Sequence, residues 1–273
     1  MTGRLLPLDA VQHRNHGWRR HTDLRFAAGD AWAPLLLAEL PAALPTFPLA
    51  FVQRPGGGWQ LAVVQGLHAG DNLCLDAAGR WVVGYLPSYY RGHPFVLCEV
   101  ALNEGRRKVL CFDLDSGLYR ETPRPEAGEE RFFDDDGKLQ PLPERAVAFL
   151  QQTDDNRQLT HSAVDALAEA ELLQPWELAV PNPDADRPLL SGLMRIDEAR
   201  LNTLDAAALA HLRSRNGLSI AYAQVFSLPR LGLLRRLYER RAARSRLGAG
   251  LDGLLAEDPA DSLNFDFESD SET

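Results

Sequence analysis

The chain has 273 residues, of which 45% are hydrophobic and 25% charged. That balance excludes whole-chain disorder and supplies enough apolar surface for a sizeable core. The formal net charge of -9 excludes a general nucleic-acid binder, which needs a positive field along the phosphates, and it opposes docking on anionic lipid.

Residues 1–10 lack a basic stretch followed by a long apolar one, so no targeting segment is read there. The first long apolar run, residues 31–49, is interrupted by Glu39 and by prolines, and is too broken to cross a membrane. Prolines 41, 45 and 48 then enforce extended or turn structure. Residues 49–52 read as a strand, 54–58 as a glycine-rich turn and 59–66 as the returning strand, a hairpin signal. The pattern predicts two more pairs: 72–76 with 81–86, and 95–101 with 108–113. Residues 116–143 read as a long connection with one short β element near Phe132 and Phe133.

Helical periodicity begins after Pro143 and continues, with or without a break, through Leu172. Residues 176–180 and 189–196 look like strands. Asp197 opens a helical stretch, and 206–215 form a helix with Gly217 as its stop signal. Residues 218–228 fit helix or strand, and 231–247 form an amphipathic helix whose arginines lie away from its leucines. The expected fold class is therefore α+β: a mainly antiparallel β region over 1–143, a mainly α region over 144–247 packed on it, and a flexible acidic tail over 248–273.

The chain contains neither a P-loop nor a G-x-G-x-x-G or G-x-S-x-G motif, and no catalytic residue is assigned. Cys74, Cys98 and Cys111 form no C-x-x-C pair and sit in apolar runs, so they read as reduced, buried thiols of a cytoplasmic protein. His13, His16 and His21 match no zinc spacing and lie beside Arg14, Arg19 and Arg20, which oppose a cation; no metal or other cofactor is expected. Asp134-Asp135-Asp136-Gly137 lacks the distant glutamate of a calcium loop and reads as a turn. Asp197 and Glu198 read as the start of a helix, where carboxylates satisfy free N–H groups.

Two segments are candidate binding elements. Tyr85, Tyr89, Tyr90, Arg91 and His93 fall within one proline-flanked stretch. They either line a pocket in which arginine fixes an anion or form a buried corner whose phenols satisfy backbone groups. In the tail, Phe265 and Phe267 alternate with acids, a peptide motif suited to a groove; opposite charge also lets the tail fold back over the arginine-rich helix before it.

Several stretches, in order, resemble the SapC family. They are Pro34-Leu35 to Glu39, Phe47-Pro48-Leu49-Ala50-Phe51-Val52, Gly66-Leu67, Asn72-Leu73 and Gly79-Arg80-Trp81. Tyr85-Leu86-Pro87, Arg91, Pro94-Phe95 and Phe133-Asp134-Asp135-Asp136-Gly137 follow. Leu190-Ser191-Gly192-Leu193, Ile196-Asp197-Glu198, Leu201-Asn202 and Ala221-Tyr222-Ala223 complete the resemblance, which spans about Leu8 to Leu237. The chain departs from the family at Gly92 and His93, where a second arginine and an aromatic are common, and at Gln224, where histidine is common. The resemblance implies a bacterial accessory protein linked to surface layers, in a family some of whose members appear beside outer-membrane receptors and flavin-dependent halogenases. It names no catalytic residue.

Together these features predict a non-catalytic accessory protein that recognises a polypeptide or partner enzyme, without nucleic acid or membrane insertion. The alternative is an enzyme acting on a small molecule or peptide, with a pocket around Tyr89, Tyr90, Arg91 and His93.

Overall fold

Residues 49–52 and 61–64 are apolar at every position, although successive strand residues point to opposite faces of a sheet. The computed structural model accounts for this by covering both faces. It describes residues 3–102, 105–178 and 187–256, with only the backbone path for 101, 102, 105 and 245–256.

The chain begins with β1 (Leu5–Pro7), β2 (Gly17–Arg19) and β3 (Trp32–Pro34), then a single 3-10 turn at Leu37–Glu39 that continues into α1 (Leu40–Ala43). Next come β4 (Leu49–Gln53), β5 (Trp59–Val64), α2 (Ser88–Arg91), β6 (Phe95–Leu102) and β7 (Gly105–Asp113). Short strands β8 (Tyr119–Arg120) and β9 (Glu129–Arg131) precede the long helix α3 (Pro141–Glu169). The remainder comprises β10 (Leu173–Pro175), β11 (Met194–Ile196), α4 (Glu198–Leu201), α5 (Ala206–Ser214), α6 (Gly217–Ser227) and α7 (Leu231–Ala256). Among the described residues no helix is long and apolar enough to cross a membrane.

The strands form three antiparallel sheets, in the orders β10-β11-β4-β5-β3, β1-β7-β6 and β8-β2-β9. In the five-stranded sheet, Leu49, Phe51, Leu61 and Val63 face a core shared with α3, α5 and α6. Ala50, Val52, Ala62 and Val64 face the other way, onto Leu231 and Leu234 of α7. A third cluster, around Phe95, Phe112 and Phe132, fills the space between the two smaller sheets and the start of α3. Strands thus dominate the first half and helices the second, while β10 and β11 extend the sheet formed by β3, β4 and β5.

Several local expectations change. Residues 72–76 and 81–86 form no strand pair, only the single bridge Leu75–Trp81. Asn72 Nδ2 donates to Ala27 O (3.0 Å) and its Oδ1 accepts from the Cys74 N–H (3.0 Å), while the Arg241 guanidinium donates to the carbonyls of Asn72 and Leu75. Two hairpin bonds flank that bridge, Val82 N–H to Cys74 O (2.9 Å) and Asp76 N–H to Arg80 O (3.0 Å), and side chains take outward-facing groups of the same segment. α3 runs unbroken over 29 residues, with Pro141 at its first position, where a missing N–H costs nothing. The strand expected at 176–180 lies earlier, at Leu173–Pro175, and residues 179 and 180 lie outside the described residues. Gly217 starts α6 instead of only ending α5: Asn216 takes the left-handed turn at φ 61°. A Cβ on Gly217 would stand 3.2 Å from Leu212 and 3.4 Å from the Ala163 carbonyl, so the glycine lets α6 close on α3. α7 continues nine residues past the expected end at 247, to Ala256. The remainder of the expected tail, 257–273, lies outside the described residues.

The sheet has a weak seam between β11 and β4, which share one registered pair, Met194 with Phe51. Wholly buried Gln224 of α6 bridges it. Its Oε1 accepts from the Ile196 N–H (2.9 Å) and its Nε2 donates to the Leu49 carbonyl (3.1 Å). Ser227 Oγ accepts from the Leu49 N–H at 2.8 Å. Gln224→Leu keeps the volume but orphans a buried N–H and a buried carbonyl, at about 1–3 kcal/mol each. Thermal unfolding of that variant should fall by about 5–10 °C, whereas Tyr222→Ala on the exposed side of the same helix should change stability by no more than about 0.5 kcal/mol. Equal midpoints for the two would remove Gln224 from this role.

Candidate binding surface

The aromatic stretch after Pro87 forms the single-turn α2 and divides into two settings. Tyr85 is half-buried, and its hydroxyl donates to Glu39 Oε1 at 2.7 Å. Arg91 is exposed, donates to the Tyr85 hydroxyl at 3.2 Å, and lies 3.7 Å from Glu39 Oε1. Its guanidinium also lies over the Phe149 ring at 5.3 Å. Tyr90, by contrast, is wholly buried, and its hydroxyl donates to Gln65 Oε1 at 2.8 Å. Tyr89 packs against it with ring centroids 5.2 Å apart. His93 is buried and stacked on Phe26 at 3.8 Å. Burial, and then nearby His21, push its pKa down to about 4, so it is neutral at pH 7. Burial raises the pKa of all three phenols, which keeps them protonated as hydrogen-bond donors. None of these five side chains lines either of the two cavities described below.

The other sequence candidates take separate places. His13 Nδ1 accepts from the Asp9 N–H (3.0 Å), His16 bonds the Tyr119 hydroxyl, and His21 packs edge-on to Phe26. Asp134 Oδ1 accepts from the N–H groups of Asp136 (3.0 Å) and Lys138 (2.8 Å), which closes the expected turn. Asp197 caps α4 by accepting from the Arg200 N–H at 3.0 Å. Cys74 and Cys111 are buried and Cys98 is half-buried; burial raises the Cys74 and Cys111 thiols to about 12, far from a reactive thiolate. Phe265 and Phe267 lie outside the described residues.

The residue whose role sequence reading missed is Glu39, met there as an interruption in an apolar run and as the end of one family-like stretch. It is 6% exposed and accepts four hydrogen bonds. Its Oε1 takes the Tyr85 hydroxyl and the Ser88 N–H, both at 2.7 Å; its Oε2 takes the Ser88 hydroxyl at 2.8 Å and the Leu36 N–H at 2.9 Å. The next two free N–H groups of the same turn are capped from α3: Leu37 donates to Thr160 Oγ1 (2.9 Å) and Ala38 to Asn156 Oδ1 (3.2 Å). A short helix gains little from its own ladder, so these three caps hold α1 and the turn before it in place.

That fixed segment forms one wall of an apolar groove of about 660 Å³. Leu37, Leu40, Pro41 and Leu44 line it on one side, Ser219 and Ala223 of α6 on the other, and Arg230 at an end. The 3.6-residue period places Tyr222 and Phe226 on the same side of α6, next to Ser219 and Ala223. Both rings are exposed, at 44% and 67%, and they stack on one another with centroids 6.1 Å apart. Buried Ala221 and Gln224 occupy the opposite side of the helix. A usable sequence signal existed: residues 222 and 226 are large aromatics off the core-facing period of a helix.

Glu39→Gln replaces one acceptor oxygen with an amide that meets donors already aimed at it. Loss of charge-assisted bonds of this kind costs about 2–3 kcal/mol. Chemical denaturation should record that loss, together with faster amide exchange at Leu36 and Ser88. Wild-type stability and exchange would show that the carboxylate does not hold the wall.

A search of curated proteins and a search of solved structures each found no match. The family model described as SapC matches residues 8–234, nearly the span over which the residues resemble that family. The chain belongs to the SapC family.

Proposed function

We propose that this protein is a non-catalytic accessory protein that holds a polypeptide segment in the groove between α1 and α6. The occupant we assign is a short helix of a partner polypeptide, with apolar anchors spaced three and four residues apart. The observation that carries this reading is the stacked, exposed pair Tyr222 and Phe226 beside a preformed apolar groove. Large rings of this kind supply much of the energy at protein interfaces, and isolated exposure of two in contact is otherwise a solubility cost. The caps on the α1 wall favour binding by ordering it before a partner arrives. The resemblance of the SapC family to surface-layer accessory proteins supports a role linked to cell-surface systems, and the acidic, cysteine-poor composition favours action in the cytoplasm before export.

Selection of a random twelve-residue peptide library against the full chain tests the reading. Enriched peptides should carry helically spaced apolar residues and bind with fluorescence polarisation readouts in the micromolar range. Ser219→Arg and Phe226→Asp, both at exposed positions, should weaken them at least about tenfold, the loss of one interface hot spot, with unfolding midpoints unchanged. No enrichment, or peptides indifferent to both substitutions, would count against the groove.

A further inference from the structure

A second cavity, of about 780 Å³, lies between the loop around residues 72–82 and α7. Its character differs from the first. Leu73, Leu75, Val82 and Leu237 make an apolar floor, and Arg25, Arg240, Arg241 and Arg244 make a cationic rim. Arg241 is committed to structure: it pairs with Asp71 and donates to the carbonyls of Asn72 (2.6 Å) and Leu75 (2.8 Å). Asp76, the acid on the rim, is held by Arg80 at 2.7 Å. Arg240 and Arg244 are exposed and have no ion pair among the described residues. Two unengaged guanidinium groups over an apolar floor, on a chain of net charge -9, form a site for an anionic segment that also carries rings.

The chain itself contains such a segment. Residues 257–273 include seven acids and no lysine, arginine or histidine. Within them, Phe265-Asp266-Phe267-Glu268 alternates ring and carboxylate. In an extended strand successive side chains point to opposite sides, so both rings can meet the floor while both carboxylates turn to the rim. The reach is sufficient. From Arg244 to the end of α7 at Ala256 is about 18 Å at the helical rise, and the nine residues from there to Phe265 span up to about 30 Å when extended. Tethering over so short a distance raises the local concentration to the order of millimolar, so even weak contact is occupied.

We infer that the acidic aromatic segment around Phe265 and Phe267 docks in cis on the arginine-rimmed groove between α7 and the loop at 72–82. The segment then covers Arg240 and Arg244. The site is separate from the groove on α6, and the two readings stand or fall independently.

Photo-crosslinking in the full chain decides it. With Phe267 replaced by p-benzoylphenylalanine, irradiation at low protein concentration should join that position to residues 73–82 or 237–244 of the same molecule. The yield should fall at least about fivefold in the Arg240→Glu, Arg244→Glu double variant, consistent with loss of several screened surface pairs. It should fall likewise at about 1 M salt, where the screening length is about 3 Å. Unchanged thermal unfolding of the double variant would confirm that its fold is intact. Crosslinks to the α1–α6 groove, crosslinks between two chains, a yield indifferent to charge, or no crosslink at all would each overturn the inference.

Discussion

The buried carboxylate of Glu39 is the constraint on which the candidate binding surface rests. A carboxylate taken out of water is costly unless hydrogen bonds replace its hydration, and here four donors do so. Those donors come from residues 36, 85 and 88, so satisfying one charge also fixes the entry to α1 and the path into α2. α3 completes the arrangement through Thr160 and Asn156. The groove wall is therefore rigid because a charge beneath it must be satisfied, not because α1 is a strong helix.

The same logic runs across the five-stranded sheet. Buried on both faces, it has no solvent to complete its ladder at the β11–β4 seam, and Gln224 supplies the missing partners. Gln224 is structural in this chain. Its helix thereby has one side fixed by the sheet and the other free. Tyr222 and Phe226 lie on the free side, and that division exposes two aromatic rings without exposing the core.

Where sequence reading succeeded, the backbone satisfies itself locally. The β4–β5 and β6–β7 hairpins follow from apolar runs on either side of turns, and the cap at Asp197 follows from residue type. It failed where distant side chains took over backbone groups. Residues 72–82 look like a strand hairpin, but the pairing stops at two bonds around the Leu75–Trp81 bridge, and Arg241, about 170 residues away, holds the carbonyls of Asn72 and Leu75. The aromatic stretch at 85–93 was visible as chemistry. Whether it lined a pocket or packed a corner depended on Glu39, Gln65 and Phe26, none of which is near in sequence. The groove on α6 was hidden for a related reason: its leucines are indistinguishable from core until the helix opposite them is placed.

The central claim is that the α1–α6 groove receives an apolar helical peptide, and amide chemical-shift mapping of the isotopically labelled full chain tests it most directly. Titration with a twelve-residue peptide bearing leucines at helical spacing should shift Leu37, Leu40, Leu44, Ser219, Ala223 and Arg230 together, with a single saturating curve. Shifts centred instead on Tyr89 to His93, or none above those from a scrambled peptide, would contradict the account.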